Sequence, residues 1–321
     1  MKKLLIATVA VMAMLFGSST ASATTPVKQY GQLQVKGTQL CDQQGNPVVL
    51  RGISLGWHNI WPRFYNKKCV NWLVDDWHVS IVRAAMGVKI EDNYLENPDF
   101  AYQCIEPVIK AAIKKGIYVI IDWHAHDMYT AEATKFFGGM AQKYGKYPNV
   151  IYEIFNEPVD QSWESLKDYS KTVITEIRKY DPDNIILVGC PHWDQDIHLV
   201  AESPLTGFDN IMYTVHFYAA THGQYLRDRT VDAIKKGIPV FLSECGASEA
   251  DGNGKLDEEQ WNEWIKMAED NKISWVNWSL SDKDETCSML LPRAAATGKW
   301  KDDVLKKTGK LAKKTLLKYN K

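Results

Sequence analysis

The sequence has almost no surplus of charge: 38 Lys and Arg stand against 39 Asp and Glu, a net charge of -1. A chain so balanced has no basic surface with which to neutralise a phosphate backbone or an anionic membrane, so nucleic acid is not an expected partner. Its six cysteines, Cys41, Cys69, Cys104, Cys190, Cys245 and Cys287, include no Cys-x-x-Cys pair, which removes the usual structural zinc. No Pro-, Ser- or Thr-rich linker and no repeat at a solenoid period divides the chain. No apolar run reaches the ~20 residues of a spanning helix. The nearest approach, Leu4 to Phe16, follows Lys2-Lys3 and precedes Ala21-Ser22-Ala23, the order of a secretory signal. Cleavage is expected after Ala23, where no cysteine stands to carry a lipid. The expectation is a signal peptide over 1–23, one domain over 24–321, a secreted or periplasmic location and no membrane contact after cleavage.

What is present is a substantial apolar complement, 45% of 321 residues, enough for one large core without help from metal or disulfides. Gln32-Leu-Gln-Val-Lys-Gly and Thr38-Gln-Leu-Cys41 flank a turn and read as a small hairpin closing the bottom of a larger body. From Val48 onward short apolar runs alternate with amphipathic stretches. The runs predict strands over 48–53, 80–85, 118–124, 150–155, 185–189, 211–217, 240–244 and 273–279. Helices are predicted over 67–77, 100–115, 131–144, 162–180, 195–201, 225–236, 257–271 and 302–319. Strict strand–helix alternation means a parallel sheet with crossover helices, and a count of eight selects a closed (β/α)8 TIM barrel, here with a short N-terminal β-hairpin.

Two of the apolar runs end abruptly in a glutamate. Val150-Ile-Tyr-Glu-Ile-Phe-Asn156-Glu157-Pro158 is one, and Pro239-Val-Phe-Leu-Ser-Glu244 the other. Barrel enzymes keep their reactive groups at strand C-termini. At ~30 residues per strand–helix unit, the two glutamates lie about three units apart, facing each other across the mouth. Carboxylates facing at about 5 Å are what retaining glycoside hydrolysis requires, one as acid/base and one as nucleophile.

Arg51-Gly-Ile-Ser, Val82-Arg83-Ala-Ala, Val119-Ile-Ile-Asp-Trp-His124, Ile151 to Pro158, Val215-His216-Phe-Tyr218, Ser243-Glu244 and Trp275-Val-Asn-Trp278 through Glu285 together resemble bacterial endo-β-1,4-glucanases of glycoside hydrolase family 5. The likeness runs from about Gly31 to the last helix. It implies that Glu157 is the acid/base, with a raised pKa, and that Glu244 is the nucleophile and stays ionised. Arg83 is placed by the family beside the nucleophile, where its guanidinium lowers the carboxylate pKa. Tyr218 is to donate its hydroxyl to the same carboxylate, and Asn156 to hold the sugar 2-hydroxyl. His124 and His216 are to hydrogen-bond sugar and the catalytic carboxylates. Trp278 is the floor under the reacting sugar, and Lys283 with Glu285 holds hydroxyls of its neighbour. Trp57, His58 and Trp61, after the first strand, are candidate substrate contacts at offsets that differ from those of other members. The implied partner is a β-1,4-linked polysaccharide or oligosaccharide, cut internally by a monomer.

Blander readings compete at several positions. Glu153 has alternation against it and reads as a charge buried in the barrel or paired with a neighbour. Arg83 in an apolar run is costly to bury unless paired, and both the structural and the functional reading lead to Glu244. His124, His126 and Asp127, with His216 and His222, have spacings that could ligate a metal, but two glutamates already supply a mechanism, so neither metal nor cofactor is expected. Asp251 to Asp257 resembles part of a calcium loop with Lys255 where an oxygen is needed, so a helix cap at Asp257 is the better account. Trp72, Trp77, Trp261 and Trp264 fall at helical spacing and read as packing. Trp57, Trp61, Trp123, Trp193, Trp278 and Trp300 fall near loops, and about half of them are expected to touch sugar. Cys69 with Cys104, and Cys245 with Cys287, are candidate disulfides for an exported chain. The nearest alternative function is the same chemistry on mannan, xylan, xyloglucan or mixed-linkage glucan; a non-catalytic glycan-binding barrel has no need of both glutamates with Arg83, Asn156 and Tyr218. With no appended binding module seen, soluble or amorphous substrate is expected to be handled better than crystalline.

Overall fold

The computed structural model describes residues 24–320; the expected signal over 1–23 lies outside the described residues. A short helix, Pro26–Tyr30, leads into the hairpin β1 (Gln34–Lys36) and β2 (Gln39–Cys41). Eight parallel strands follow: β3 (Arg51–Leu55), β4 (Ile81–Gly87), β5 (Tyr118–His124), β6 (Val150–Glu153), β7 (Ile186–Val188), β8 (Ile211–Tyr218), β9 (Val240–Gly246) and β10 (Trp275–Leu280). Each pairs with its sequence neighbour, and β10 closes on β3 through Trp275↔Arg51 and Val276↔Gly52. This is the expected (β/α)8 barrel with its hairpin. No helix among the described residues is long and apolar enough to cross a membrane.

The strands form because β-branched and aromatic side chains can be buried on both of their faces. Along β5, Tyr118 and Ile120 join Ile81, Ile151, Leu187, Met212, Phe241 and Val276 inside the barrel, while Val119, Ile121 and Trp123 pack outward against the helices. Leu33, Leu40 and Val48 of the hairpin region seal the lower end of the same interior cluster. The apolar filling stops partway up. Above it the interior-facing positions are charged or polar: Arg83 on β4, Asp122 on β5, Glu153 on β6, and Thr214 and His216 on β8, all buried. The barrel is thus greasy below and ionic above, and the ionic end is the C-terminal mouth.

One irregularity aims a functional group. Thr214 pairs with Phe241, but His216 pairs with Glu244, so β9 carries one more residue than β8 over this stretch. Strict alternation from an inward Phe241 would turn Glu244 outward; the bulge restores it to the mouth, a common use of bulges beside active sites.

Helices begin and end where local chemistry dictates. Asn66 caps Lys67–Trp77 by accepting from Cys69 N, and Asp257 caps Glu258–Asp270 by accepting from Gln260 N, so the Asp251–Asp257 segment is indeed a turn entering a capped helix. Gly116, at φ 69°, ends Pro98–Lys115 in the left-handed conformation that a Cβ disfavours. The final helix runs Lys307–Tyr319, starting later than its charge pattern suggested because Leu305 is held in a bridge to Leu290. The helix expected over 195–201 is present as Ile197–Glu202, preceded by a tight turn at Pro191–Asp194. All six cysteines are buried free thiols, so neither candidate disulfide forms.

Two tryptophans expected near sugar are core. Trp300 is 2% exposed and packs edge-on against Trp77, and Trp123 is fully buried, 5.2 Å from Tyr94 and 5.4 Å from Phe136 ring to ring. Trp123→Ala should therefore lower the unfolding free energy by about 3–5 kcal/mol in a denaturant titration while leaving ligand affinity of the folded fraction unchanged. A weakened affinity with full stability would place this ring in the cleft instead.

Candidate active site

At the centre of the mouth lies Arg83, fully buried on β4. Its Nε donates to Glu153 Oε2 at 2.6 Å, Nη1 to Glu244 Oε2 at 2.9 Å, and Nη2 to Asn156 Oδ1 at 2.6 Å and Asp122 Oδ2 at 3.0 Å. The planar fork of guanidinium satisfies this many acceptors at once, which a lysine could not. Glu153 is thereby an ion-paired interior charge, as read from its alternation. Asp122 Oδ2 also lies 2.7 Å from His124 Nδ1.

Glu244 completes its coordination with the Tyr218 hydroxyl, which donates to Oε1 at 2.6 Å. Glu157, past the end of β6, has one imidazole on each oxygen: His216 Nδ1 at 2.9 Å from Oε1 and His126 Nε2 at 3.3 Å from Oε2. His216 is tied behind by Ser243 Oγ at 2.9 Å from Nε2. Glu157, His216 and Glu244 each offer an atom within 4.8 Å of the others. That trio could in principle grip a cation, yet each member is already engaged by Arg83, Tyr218, Ser243 or His126. The Glu157 side chain keeps 14% exposure and the Glu244 side chain 5%, so both can be reached from the cleft.

The charge distribution differs from the expectation. Burial pushes the Glu157 carboxyl up, but the hydrogen bonds from His126 and His216 outweigh it and hold it down to about 2. Burial raises Glu244, and the Glu157 carboxylate adds to this against the pull of Arg83, His216 and Tyr218. For His216, burial acts downward, but Asp194, Glu153, Glu157 and Glu244 around it carry its pKa well above the usual value. These opposite shifts favour hydrogen on the imidazole over the Glu157 carboxyl across the 2.9 Å contact between His216 Nδ1 and Glu157 Oε1.

The remaining candidates divide by location. Trp57, Trp61, Trp278, His124, Lys283 and Glu285 line one arm of the cleft together with Glu157 and Glu244. Trp278 stacks on His124 at 5.1 Å and 9°, and Lys283 is ion-paired to Glu285 at 2.5 Å. Trp193, with His192, Gln195, His222 and Asp251, lines the other arm. His124 reaches Asp122 and Trp278, and neither glutamate of the pair. His58 is a correction: it is fully buried, its Nδ1 accepts from Gly87 N at 2.9 Å, and it lies against Phe100 rather than in the cleft. His126 and Asp194 were not assigned to this chemistry from sequence. His126 carried a signal, a second histidine two residues after His124; Asp194 carried none, because its turn reads as the start of a helix.

Facing carboxylates among indole rings that line the cleft, on this barrel, define the class: a (β/α)8 enzyme that cuts glycosidic bonds. The comparisons agree. Residues 41–284 match the family model for cellulase, glycosyl hydrolase family 5. An endoglucanase of Clostridium saccharobutylicum is 42% identical over 97% of this chain and 71% of its own length, and Endoglucanase 5 of Pectobacterium carotovorum subsp. carotovorum is 41% identical over 93% of this chain. This chain spans only 60% of the latter's length. A solved structure from Cytophaga hutchinsonii superposes with a TM-score of 0.91 at 46% identity, covering 92% of this chain and 97% of that one. The catalytic domain of Thermobifida fusca endoglucanase Cel5A with cellotetraose gives 0.87 at 34% identity, covering 91% and 99%. The chain belongs to glycosyl hydrolase family 5 and is a glycoside hydrolase.

His58 and His222 make a prediction about acid stability. Each is a buried ring whose Nδ1 accepts a backbone N–H, from Gly87 and from Tyr218 at 2.8 Å, and burial lowers each pKa to about 4. The folded state prefers both rings neutral, so this stability is complete above the unfolded-state value of about 6.5 and is lost as pH falls from there toward 4. The melting temperature should drop steadily across that window. His222→Asn keeps an acceptor for Tyr218 N without a titrating group and should shallow the slope; an unchanged slope in both this variant and His58→Asn would reject the assignment.

Proposed function

We propose that the chain is a secreted, retaining endo-β-1,4-glucanase in which Glu157 is the acid/base and Glu244 the nucleophile. The observation that carries this reading is the approach of the two carboxylates to within 4.8 Å, the short separation of direct attack rather than the ~6.5–9.5 Å that leaves room for an intervening water. Arg83 and Tyr218 hold Glu244 by both oxygens, leaving its inward edge to attack the anomeric carbon. Glu157 delivers a proton to the departing glycosidic oxygen, then, as a carboxylate, takes one from the water that releases the sugar from Glu244. Asn156 Nδ2 is buried without a hydrogen-bond partner while its Oδ1 is fixed by Arg83, which presents the amide N–H to a sugar hydroxyl. Trp57, Trp61 and Trp278 supply apolar faces for pyranose rings in one arm and Trp193 in the other, with the Lys283–Glu285 pair as hydroxyl partners. A cleft continuing on both sides of the glutamates suits internal cleavage of a chain. The choice of β-1,4-glucan draws on the relatives named endoglucanase and on the cellotetraose bound to the Thermobifida enzyme. Export rests on the charged, apolar and small-residue succession before Thr24.

Viscosity loss and reducing-end release on carboxymethylcellulose, with mannan and xylan in parallel, test the substrate. A steep viscosity drop with few new ends on the cellulose derivative alone is expected; faster action on mannan or xylan would move the substrate while keeping the barrel. Glu244→Gln should lower kcat on the order of 10⁴-fold with oligosaccharide binding retained, and proton NMR of early wild-type products should show the β-anomer first. An α-anomer first would overturn the double displacement. Full activity is expected in the presence of a chelator.

A further inference from the structure

Behind His216 stands a carboxylate that the mechanism above does not use. Asp194 is fully buried, and its Oδ2 lies 3.3 Å from His216 Nε2 with no hydrogen-bond partner of its own. Its Oδ1 is fixed by Cys190 N at 2.6 Å. Three successive non-glycine residues, His192, Trp193 and Asp194, adopt left-handed backbone angles, φ 60°, 52° and 58°. Side chains with a Cβ disfavour that region, and a run of three clustered at a functional site is the kind of strain that surrounding structure must hold in place. The turn sends Trp193 outward into the cleft and Asp194 inward to the imidazole.

We propose that Asp194 is a positioning residue for the acid/base step: through the Nε2 edge of His216 it keeps a hydrogen on Nδ1, facing Glu157. The inference rests on Glu157 as the acid/base. An imidazole has two nitrogens, and the one that carries hydrogen is set by the partner of the other. With Asp194 and Glu153 oxygens at Nε2 and Glu157 Oε1 at Nδ1, the ring has acceptors on both edges, which favours an imidazolium over a neutral ring bearing hydrogen on Nε2 alone; if the proton between Asp194 and Nε2 sits on Oδ2 instead, the ring accepts at Nε2 and Nδ1 again bears the hydrogen. Both arrangements leave an Nδ1–H donor to Glu157 Oε1 at 2.9 Å. In the forward step that proton passes to the Glu157 carboxylate, which delivers it to the glycosidic oxygen, and it returns to Nδ1 when Glu157 takes a proton from water. No proton is gained or lost over the cycle. The other charges around the ring are Glu153 and Glu157 from β6 and its loop and Glu244 from β9, with Asp122, Arg83, His124 and His222 beyond and His126 on the far oxygen of Glu157. Of these, only Asp194 and Glu153 face Nε2, and Glu153, at 3.6 Å, is already committed to Arg83.

The test compares kcat/KM on cellotetraose, whose leaving group needs a proton, with that on 2,4-dinitrophenyl β-cellobioside, whose leaving group does not. Asp194→Ala should lose about tenfold or more on cellotetraose and less than about threefold on the aryl substrate. Asp194→Asn, whose amide can keep its oxygen on Cys190 N and give an N–H to Nε2, should recover most of the loss. Equal losses on both substrates, or no loss on either, would overturn the proposal by showing a purely structural residue or none. Glu157→Gln run alongside separates the two claims: if it fails to spare the aryl substrate, it is the acid/base reading that falls. Should Asp194→Ala not fold, the 15N resonances of His216 in the wild-type enzyme decide. A protonated Nδ1 at neutral pH supports the proposal, and a ring bearing hydrogen only on Nε2 overturns it.

Discussion

The upper half of this barrel depends on one buried guanidinium. Arg83 is fixed by Glu153, Asp122, Asn156 and Glu244, three carboxylates and an amide brought from three other strand ends. Burying such a charge is unfavourable unless every donor finds an acceptor, and breaking one partner of a set like this leaves an uncompensated ion in the interior. The arrangement therefore enforces itself. Strands β4, β5, β6 and β9 must bring their ends together for the charge to be tolerated, and once they do, Glu244 has one defined position. Stability and catalytic geometry are consequences of the same ion cluster.

That cluster also explains why the carboxylates behave differently from a simple acid-and-nucleophile picture. Three carboxylates share Arg83, while Glu157 and Asp194 lie beyond it, so negative charge exceeds positive. The excess draws protons, and His216 stands where Glu153, Glu157, Asp194 and Glu244 converge, so the imidazole collects one. Glu157 is low because hydrogen bonds from His126 and His216 outweigh its burial, while Glu244 is high because burial and its neighbour act together. On the proposed roles, the proton that Glu157 delivers is held one hydrogen bond away, on the imidazole. A substrate that displaces water from the cleft strengthens every one of these interactions by lowering the local dielectric.

Much of this was legible in the chain. Eight apolar runs with amphipathic stretches between them gave the barrel directly, because a strand buried on both faces leaves a continuous hydrophobic signature. Glu157 and Glu244 could be named because each ends such a run, whereas Arg83, Asn156 and Tyr218 were named through the family resemblance. What stayed hidden depends on three-dimensional accidents of register and turn. The bulge that aims Glu244 adds one residue to β9 without any glycine or proline to mark it. Trp123 sits beside His124 in sequence, yet alternation sends the two to opposite sides of the strand, one into the core and one into the cleft. His58 follows Trp57 in a loop, and only its acceptance of Gly87 N shows that it turns inward.

Asp194 is the sharpest instance. Its neighbours Gln195 to Ala201 suggest helix, and an aspartate at a helix start is ordinary capping. The left-handed turn overturns that reading, because three residues at positive φ place consecutive side chains in directions that a helix start would not. Strain of this sort is retained where something depends on the direction it imposes. Two directions are imposed here: Trp193 toward one arm of the cleft, and Asp194 toward the imidazole bonded to Glu157. One turn therefore joins the surface of that arm to the ring bonded to Glu157, so a displacement of Trp193 is transmitted along the backbone to the partner of His216.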